Sequence, residues 1–239
     1  MVNPTAAMLV IGDEILSGRT KDANMHFLAG ELVAYGIDLS EVRIVCDKTS
    51  AIVFAVRALA SNFDYVFTSG GIGPTHDDIT AEAIAEAFGL SIAIREDARA
   101  LLEAYYGHRS LHLNASRLRM ARIPEGASLI YNPLSAAPGF VVDNVYVMAG
   151  VPSVFRAMLA QVIPTLECGR PLLSHTMRIL RGEGDIADSL AEIAGSYADL
   201  SIGCYPFRQG RRFGAHVVVR GMDAKRINQA VKRIGKELK

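Results

Sequence analysis

The sequence predicts an α/β protein: a three-layer αβα domain on a mostly parallel sheet, followed by a small α+β domain. Three observations predict it. Short apolar runs alternate with segments of helical period through the first 170 residues, the pattern of βαβ crossovers. A glycine-rich loop opens directly behind the third apolar run, where open parallel sheets collect their ligands. The charge balance changes sign near Gly169-Arg170-Pro171: residues 1–170 carry 13 Lys+Arg against 18 Asp+Glu, and residues 171–239 carry 12 against 7. That asymmetry divides the chain into one domain over 1–170 and a second over 171–239.

The elements follow in order. Residues 6–11 are continuously apolar, fit for a strand buried on both faces. Over 22–35, Phe27, Leu28, Leu32 and Tyr35 recur at helical spacing, and Gly36 stands where a helix-ending glycine belongs. A second strand is expected at 42–46. A helix follows over 49–61, with Thr49 or Ser50 as its N-cap and Ile52, Val56, Leu59 and Ala60 on one face. Residues 65–68 form the third strand, and a helix over 80–88 ends at Gly89. Further on, 96–106, 114–122 and 153–166 read as helices, and 129–131 and 141–148 as extended chain. The tail reads as strand (174–180), helix (185–197), two strands (the second over 216–220) and helix (224–238).

Composition narrows the function. The chain has 239 residues, 50% hydrophobic and 21% charged, with a formal net charge of +0, which excludes a disordered polyelectrolyte and supplies a sizeable core. No uninterrupted apolar run reaches the ~18 residues that cross a bilayer. Met1-Val2-Asn3-Pro4 offers no basic region of a signal peptide. Cys46, Cys168 and Cys204 are isolated and odd in number, which fits a reducing cytoplasm and argues against a disulfide framework or zinc site. The apolar fraction is compatible with a buried interface in a homo-oligomer.

The unusual residues gather behind the strands. Gly12-Asp13-Glu14 follows the first and Asp47 the second. Ser69-Gly70-Gly71-Ile72-Gly73-Pro74-Thr75-His76-Asp77-Asp78 follows the third, and Gly150-Val151-Pro152-Ser153 follows the segment at 141–148. Gly70, Gly71 and Gly73 allow a tight turn and close approach to a ligand. Their amides, with Pro74, Thr75 and the next helix start, suit an anion such as phosphate. Adjacent carboxylates at Asp77 and Asp78 would repel that phosphate unless a divalent cation such as Mg²⁺ bridged them. Asp13, Glu14 and Asp47 would add ligands or act as a general base.

Plainer readings stand beside these. Asp78 would cap the following helix, and Asp13 and Glu14 would be exposed acids. Ser153 reads as an N-cap rather than a nucleophile, although Gly150 and Ser153 suit a second anion-binding helix start. His76 is placed to assist at a phosphate. His108 and His112, four residues apart, lack the glutamate of a zinc helix and read as solvated. Tyr105 and Tyr106 read as packing, and Arg117, Arg119 and Arg122 as a phosphate grip or a surface face.

Together, Gly12-Asp13-Glu14-Ile15-Leu16, the loop from Ser69 through Thr80, Ala137-Pro138-Gly139 and Gly150-Val151-Pro152-Ser153 resemble the CinA-like family, specifically the molybdopterin-binding-type N-terminal domain of competence/damage-inducible protein A. The resemblance covers about residues 6–168, and the tail is similar to that family's small KH-like domain. It implies an α/β fold shared with molybdenum-cofactor biosynthesis proteins, molybdopterin as a ligand, and metal-dependent hydrolysis of ADP-ribose-type pyrophosphates. It also implies roles for Asp47 and Asp78 and adds Pro138 and Gly139 to the binding residues. Longer members carry a nicotinamide-nucleotide deamidase domain that these 239 residues do not resemble, so that activity is not expected. The pattern departs at Ala23, at Ser135 and Ala136, and at Val154, removing two hydroxyls, a glycine and an acid.

The expected function is a cytoplasmic, metal-dependent hydrolase of nucleotide pyrophosphates. The alternative is a protein that binds molybdopterin without hydrolysing anything. Its partner would be a small nucleotide or pterin phosphate, with no membrane. The basic tail with Arg208, Arg211 and Arg212 invites nucleic acid, but Gly210-Arg211-Arg212-Phe213-Gly214 is one residue longer than the G-x-x-G grip of a KH domain and falls between strands. No nucleic-acid partner is expected.

Overall fold

The computed structural model describes residues 3–210 and 212–238; Met1, Val2, Arg211 and Lys239, and with them parts of the N-terminal and basic-loop readings, lie outside the described residues. The chain divides into two compact units, one ending at Gly169 and one beginning at Arg170.

In the first unit, β1 (Thr5–Ile11) enters the centre of the sheet and is buried along nearly its whole length. A short helix α1 (Asp13–Leu16) and then α2 (Asn24–Ala34) lead to β2 (Asp38–Val45), and α3 (Thr49–Ala60) leads to β3 (Tyr65–Ser69). After the glycine loop come α4 (Thr80–Phe88), β4 (Ile92–Ile94), α5 (Glu96–His108), α6 (Ala115–Leu118), β5 (Arg122–Pro124) and β6 (Ser128–Ile130). The unit closes with β7 (Gly139–Val142), β8 (Val145–Met148) and α7 (Pro152–Val162).

Six strands make the main sheet in the order β2-β1-β3-β8-β7-β6, and β4 with β5 forms a separate antiparallel pair. The first four strands of that order are parallel neighbours, and β7 is antiparallel to both β8 and β6. Alternation along β1 divides the core. Ala7, Leu9 and Ile11 pack with α3, α4 and α5 on one face. Ala6, Met8 and Val10 pack with α2 and α7 on the other. The result is the expected αβα sandwich.

Local differences have local causes. The extended segment at 141–148 is a hairpin, turned at Asp143 with φ 52°; the apolar runs on both sides of Asp143-Asn144 read as one strand, and Asp tolerates the left-handed turn. The helix expected over 114–122 is α-helical to Leu118 and tightens to a 3₁₀ turn over Arg119–Ala121, where it ends because Arg122–Pro124 pairs with β4. The strand expected at 42–46 begins at Asp38; polar residues alternate along this sheet edge and hide its start. The cap of α3 is Lys48, not Thr49 or Ser50, and it makes no side-chain bond. Gly36 and Gly89 both follow their helices with positive φ, the cap geometry that glycine favours.

The second unit comprises β9 (Leu173–Ile179), α8 (Glu183–Gly195), β10 (Ser201–Gln209), β11 (Arg212–Gly221) and α9 (Ala224–Glu237). Its antiparallel sheet has the order β10-β11-β9. Met177, Ile179, Val217 and Val219 pack against Ile186, Ile193, Ile227 and Ile234 of the two helices. The Asp223 carboxylate caps α9, accepting from the N–H groups of Lys225 and Arg226. Among the described residues, no helix is long and apolar enough to cross a membrane.

Candidate functional site

Parallel register brings the carboxyl ends of four strands together. Ile11 pairs with Val45, Val10 with Ser69, and Ser69 with Met148, so Gly12, Cys46-Asp47, Gly70 and Ala149-Gly150 all leave the sheet at one edge. The Gly12 N–H donates to Val45 O, and the Gly70 N–H to Met148 O, each at 3.1 Å. Gly70 takes φ 113°, and a Cβ there would lie 2.2 Å from the Ile11 carbonyl oxygen. Gly71 takes φ 69°, with its missing Cβ 2.1 Å from Thr80 Oγ1. Only glycine fits either place. The Thr80 hydroxyl donates to Gly70 O at 3.0 Å and fastens the loop to the start of α4.

The carboxylates surround this loop. The Asp13 N–H donates to Asp47 Oδ2 at 2.8 Å. Burial pushes the Asp47 carboxyl above its ordinary range; the charges of Asp13, Glu14 and Asp77 push the same way, and the Asp13 N–H opposes them. The Glu14 carboxylate folds over Gly12, 2.6 Å from where a Cβ would stand. The Thr75 hydroxyl lies 2.5 Å from Asp77 Oδ1 and 2.6 Å from Asp78 Oδ2, so two carboxylates compete for one proton donor. That hydroxyl holds the Asp77 carboxyl below its ordinary range. The Thr75 N–H also donates to Asp78 Oδ2, at 2.8 Å. Asp78 does not cap α4, whose N-cap is Ile79 without a side-chain bond.

These groups form one rim of a cleft of about 570 Å³. Glu14, Asp47, Asp77 and Asp78 line it with Gly70, Gly71, Gly73 and Pro74, and none of the described lining residues is Lys or Arg. The opposite rim carries Asn132, Ser135, Ala137, Gly150, Val151, Pro152 and Val154. Two of the positions that depart from the family pattern, Ser135 and Val154, therefore stand in the cleft.

Other expected residues fall outside it. Asp13 is exposed and contributes its backbone. Thr75 acts through the two aspartates, and the His76 side chain is 96% exposed, 3.9 Å from Asp77. Pro138 lines a small cavity behind the loop. Gly139 is buried in β7, where a Cβ would meet Val147 O at 2.4 Å, so its role there is strand packing. Ser153 is exposed in the first turn of α7, whose N-cap is Val151, and makes no capping bond. His108 and His112 are exposed. Tyr105 and Tyr106 pack edge to face at 5.4 Å. Arg122 pairs with Glu82, Arg119 donates to Asp78 O at 3.3 Å, and Arg117 donates to His112 O, so all three have protein partners.

Two asparagines escape the sequence reading as site builders. Buried Asn24 donates from Nδ2 to Ser69 Oγ and Gly150 O, both at 2.7 Å, and so joins three of the loops. Buried Asn132 donates to Ser135 Oγ and Ala137 O and accepts from the N–H groups of Leu134 and Ser135. For Asn132 the available signal was a polar amide between Tyr131 and Pro133, which finds partners once buried.

Comparison with known proteins agrees with this architecture. Residues 7–168 match the family model described as "Probable molybdopterin binding domain". Residues 171–239 match the model described as "FAD synthase, middle domain". A protein of Archaeoglobus fulgidus is 31% identical over 229 residues, 95% of this chain and 94% of its own length. A CinA-like protein of Myxococcus xanthus is 36% identical over 198 residues, 78% of this chain and 46% of that protein, so the chain aligns with about half of that relative. A crystal structure of the protein CinA, of unknown function, from Thermoplasma acidophilum superposes with a TM-score of 0.62 at 35% identity, covering 67% of this chain and 98% of that one. On the family match across its first unit and these relatives, the chain belongs to the molybdopterin-binding-domain family as a CinA-like protein.

Proposed function

We propose that the cleft binds a phosphate-bearing nucleotide or pterin and, with a divalent cation, hydrolyses nucleotide pyrophosphates of the ADP-ribose type. One observation carries the reading: a backbone loop suited to phosphate and four carboxylates share a rim with no cationic lining residue among those described. Phosphate alone would be repelled there, whereas phosphate with a cation would be held. The match of the second unit to a FAD synthase middle domain supports a nucleotide as the ligand class.

The donor set suits Mg²⁺. Asp77 and Asp78 offer hard oxygens that already converge on one point, the Thr75 hydroxyl. Among the described residues, no three His, Cys, Asp or Glu side chains gather into a metal cage. The reading therefore assigns only Asp77 and Asp78 as ligands, with water and phosphate completing the shell, as magnesium is commonly held. When bound, the cation would neutralise charge on the phosphate. The chain's own groups supply the rest. Amides of the glycine loop hold phosphate oxygens. Asp47, whose carboxyl keeps its proton to higher pH than usual, takes a proton from the attacking water; the Asp13 N–H holds that carboxylate, and Glu14 helps to position the water. The protein acts in this reading as a homo-oligomer in a reducing cytoplasm, the compartment that three isolated cysteines fit.

Incubation with ADP-ribose and Mg²⁺, followed by chromatography of AMP and ribose 5-phosphate, tests this. The expected result is turnover abolished by chelator and lost in Asp78→Asn. No turnover of any nucleotide pyrophosphate with any divalent metal would refute it. A second reading, a carrier that binds molybdopterin without hydrolysis, is favoured by the opposite rim, where Val151, Pro152 and Val154 offer surface to a flat ring and no charge to a reaction. Calorimetric binding of molybdopterin without pyrophosphate turnover would select it.

A further inference from the structure

The second unit carries a face that the cleft does not use. Its helices α8 and α9 pack on one side of the three-stranded sheet, against Met177, Ile179, Ala215, Val217 and Val219. Strand alternation turns Tyr205, Phe207, His216, Val218, Arg178 and Arg220 to the other side. Tyr205, His216 and Arg178 stand in one row across the three strands. Ser201, Arg220 and Ser174 stand in another.

Glycines let the aromatic rings lie down. A Cβ at Gly203 would stand 3.0 Å from the Tyr205 ring, and one at Gly214 would stand 3.0 Å from the Phe207 ring. Each ring therefore lies along the sheet instead of standing away from it. Phe207 stacks on His216 with centroids 4.6 Å apart and an interplanar angle of 22°. The Arg178 guanidinium sits 4.5 Å from the Phe207 centroid. Tyr205 is 50% exposed, and Arg178 and Arg220 are exposed. No Asp or Glu occupies an outward position on these strands among the described residues.

We propose that this sheet face binds single-stranded nucleic acid. Bases stack on Tyr205 and beside the Phe207–His216 pair, and phosphates pair with Arg178 and Arg220. Flat π-faces set among arginines, with no competing carboxylate, match a polyanion whose own apolar parts are flat. An acidic peptide offers the charge without the rings, and a duplex hides its base faces. The sheet, not the loop at 210–214, is the binding element.

Fluorescence anisotropy of the full chain with a labelled single strand of about 12 nucleotides, at about 50 mM salt, tests the proposal. Binding is expected to weaken about 5- to 150-fold in Tyr205→Ala, the range for losing one stacked base, and to be retained in Tyr205→Phe. Replacing Arg178 and Arg220 together by Ala should lower the slope of log affinity against log salt by about 1.4. Lys232→Ala, on α9, removes a charge away from this face and should change affinity less than about twofold. Absence of binding at about 100 μM protein would overturn the proposal, since even non-specific binding commonly reaches that range. So would a Tyr205→Ala variant that binds as wild type, or a duplex that binds as tightly as the single strand.

Discussion

The two rims of the cleft are built on opposite terms. The rim formed behind β1, β2 and β3 holds carboxylates that repel one another and two glycines with positive φ. The rim formed by residues 132–137 and 150–154 is hydrogen-bonded or apolar: Gly150 O accepts from Asn24. Asn132 is bonded through both ends of its amide, and Val151, Pro152 and Val154 present no charge. Unsatisfied charge on one side can be stabilised by a ligand; saturated or apolar groups on the other can only fit one. Under the proposed function, that difference assigns reactivity and selectivity to separate walls, and substitutions should separate them.

Backbone rigidity is the most severe point of contrast. A Cβ at Gly70 meets a main-chain oxygen at 2.2 Å, with φ in the left-handed region, so nothing nearby can yield. Gly70→Ala should cost on the order of 3 kcal/mol in urea unfolding. Gly150, on the facing rim, would bring its Cβ to 3.3 Å from Gly70 Cα, a tight contact at ordinary φ. Gly150→Ala should cost only about 1 kcal/mol. Equal costs would show that the first rim is no more constrained than the second.

Kinetics sharpen the same contrast. Asp78→Asn should lower kcat on ADP-ribose by about 10²-fold or more, as removal of a group acting on the reaction itself does. Ser135→Ala, across the cleft, should leave kcat within about twofold and change KM alone, the signature of uniform binding. A Ser135 variant that lost kcat would place chemistry on both walls.

How much of this was legible in the sequence follows the same division. The glycine loop, Asp47 and the acids behind the strands are short-range features, each within a few residues of a strand end, and parallel register assembles them automatically. The facing rim depends on the hairpin at Asp143-Asn144, on the Asn132 turn and on the start of α7, which are products of tertiary pairing. Ser153 reads from sequence as a cap, yet Pro152, pre-organised for the first helical position, starts the helix two residues earlier than that cap would, with Val151 as the N-cap. Asn24 carries no local signal of its three-loop role, because Ser69 and Gly150 are distant in the chain.

Protonation offers a gentler test. The Asp47 carboxyl is raised in the folded protein, by burial first and by its acidic neighbours next. The folded state therefore binds more protons than the unfolded state just above the ordinary carboxylate value, and stability falls as pH rises through that window. Asp47→Asn keeps an acceptor for the Asp13 N–H and removes the repelled charge. The variant should be more stable at pH 7 by about 0.5 kcal/mol and lose that part of the pH dependence, while losing activity. Thermal unfolding from pH 4 to pH 7 reads both.

The smallest effect is expected from Ser153→Ala. The residue sits at the start of α7 beside the apolar rim, in the position from which a helix amide or hydroxyl would grip an anion. Its side chain is exposed, bonds nothing as a cap, and is absent from the cleft wall that Val151, Pro152 and Val154 line. Removing the hydroxyl should leave unfolding within about 0.5 kcal/mol and pyrophosphate affinity within about twofold, measured by calorimetry with a non-hydrolysable analogue. A larger loss of affinity would mean that the apolar rim also holds phosphate through a helix start. The cleft would then grip its ligand from both sides, and the division between a reacting wall and a fitting wall would fail at its most exposed point.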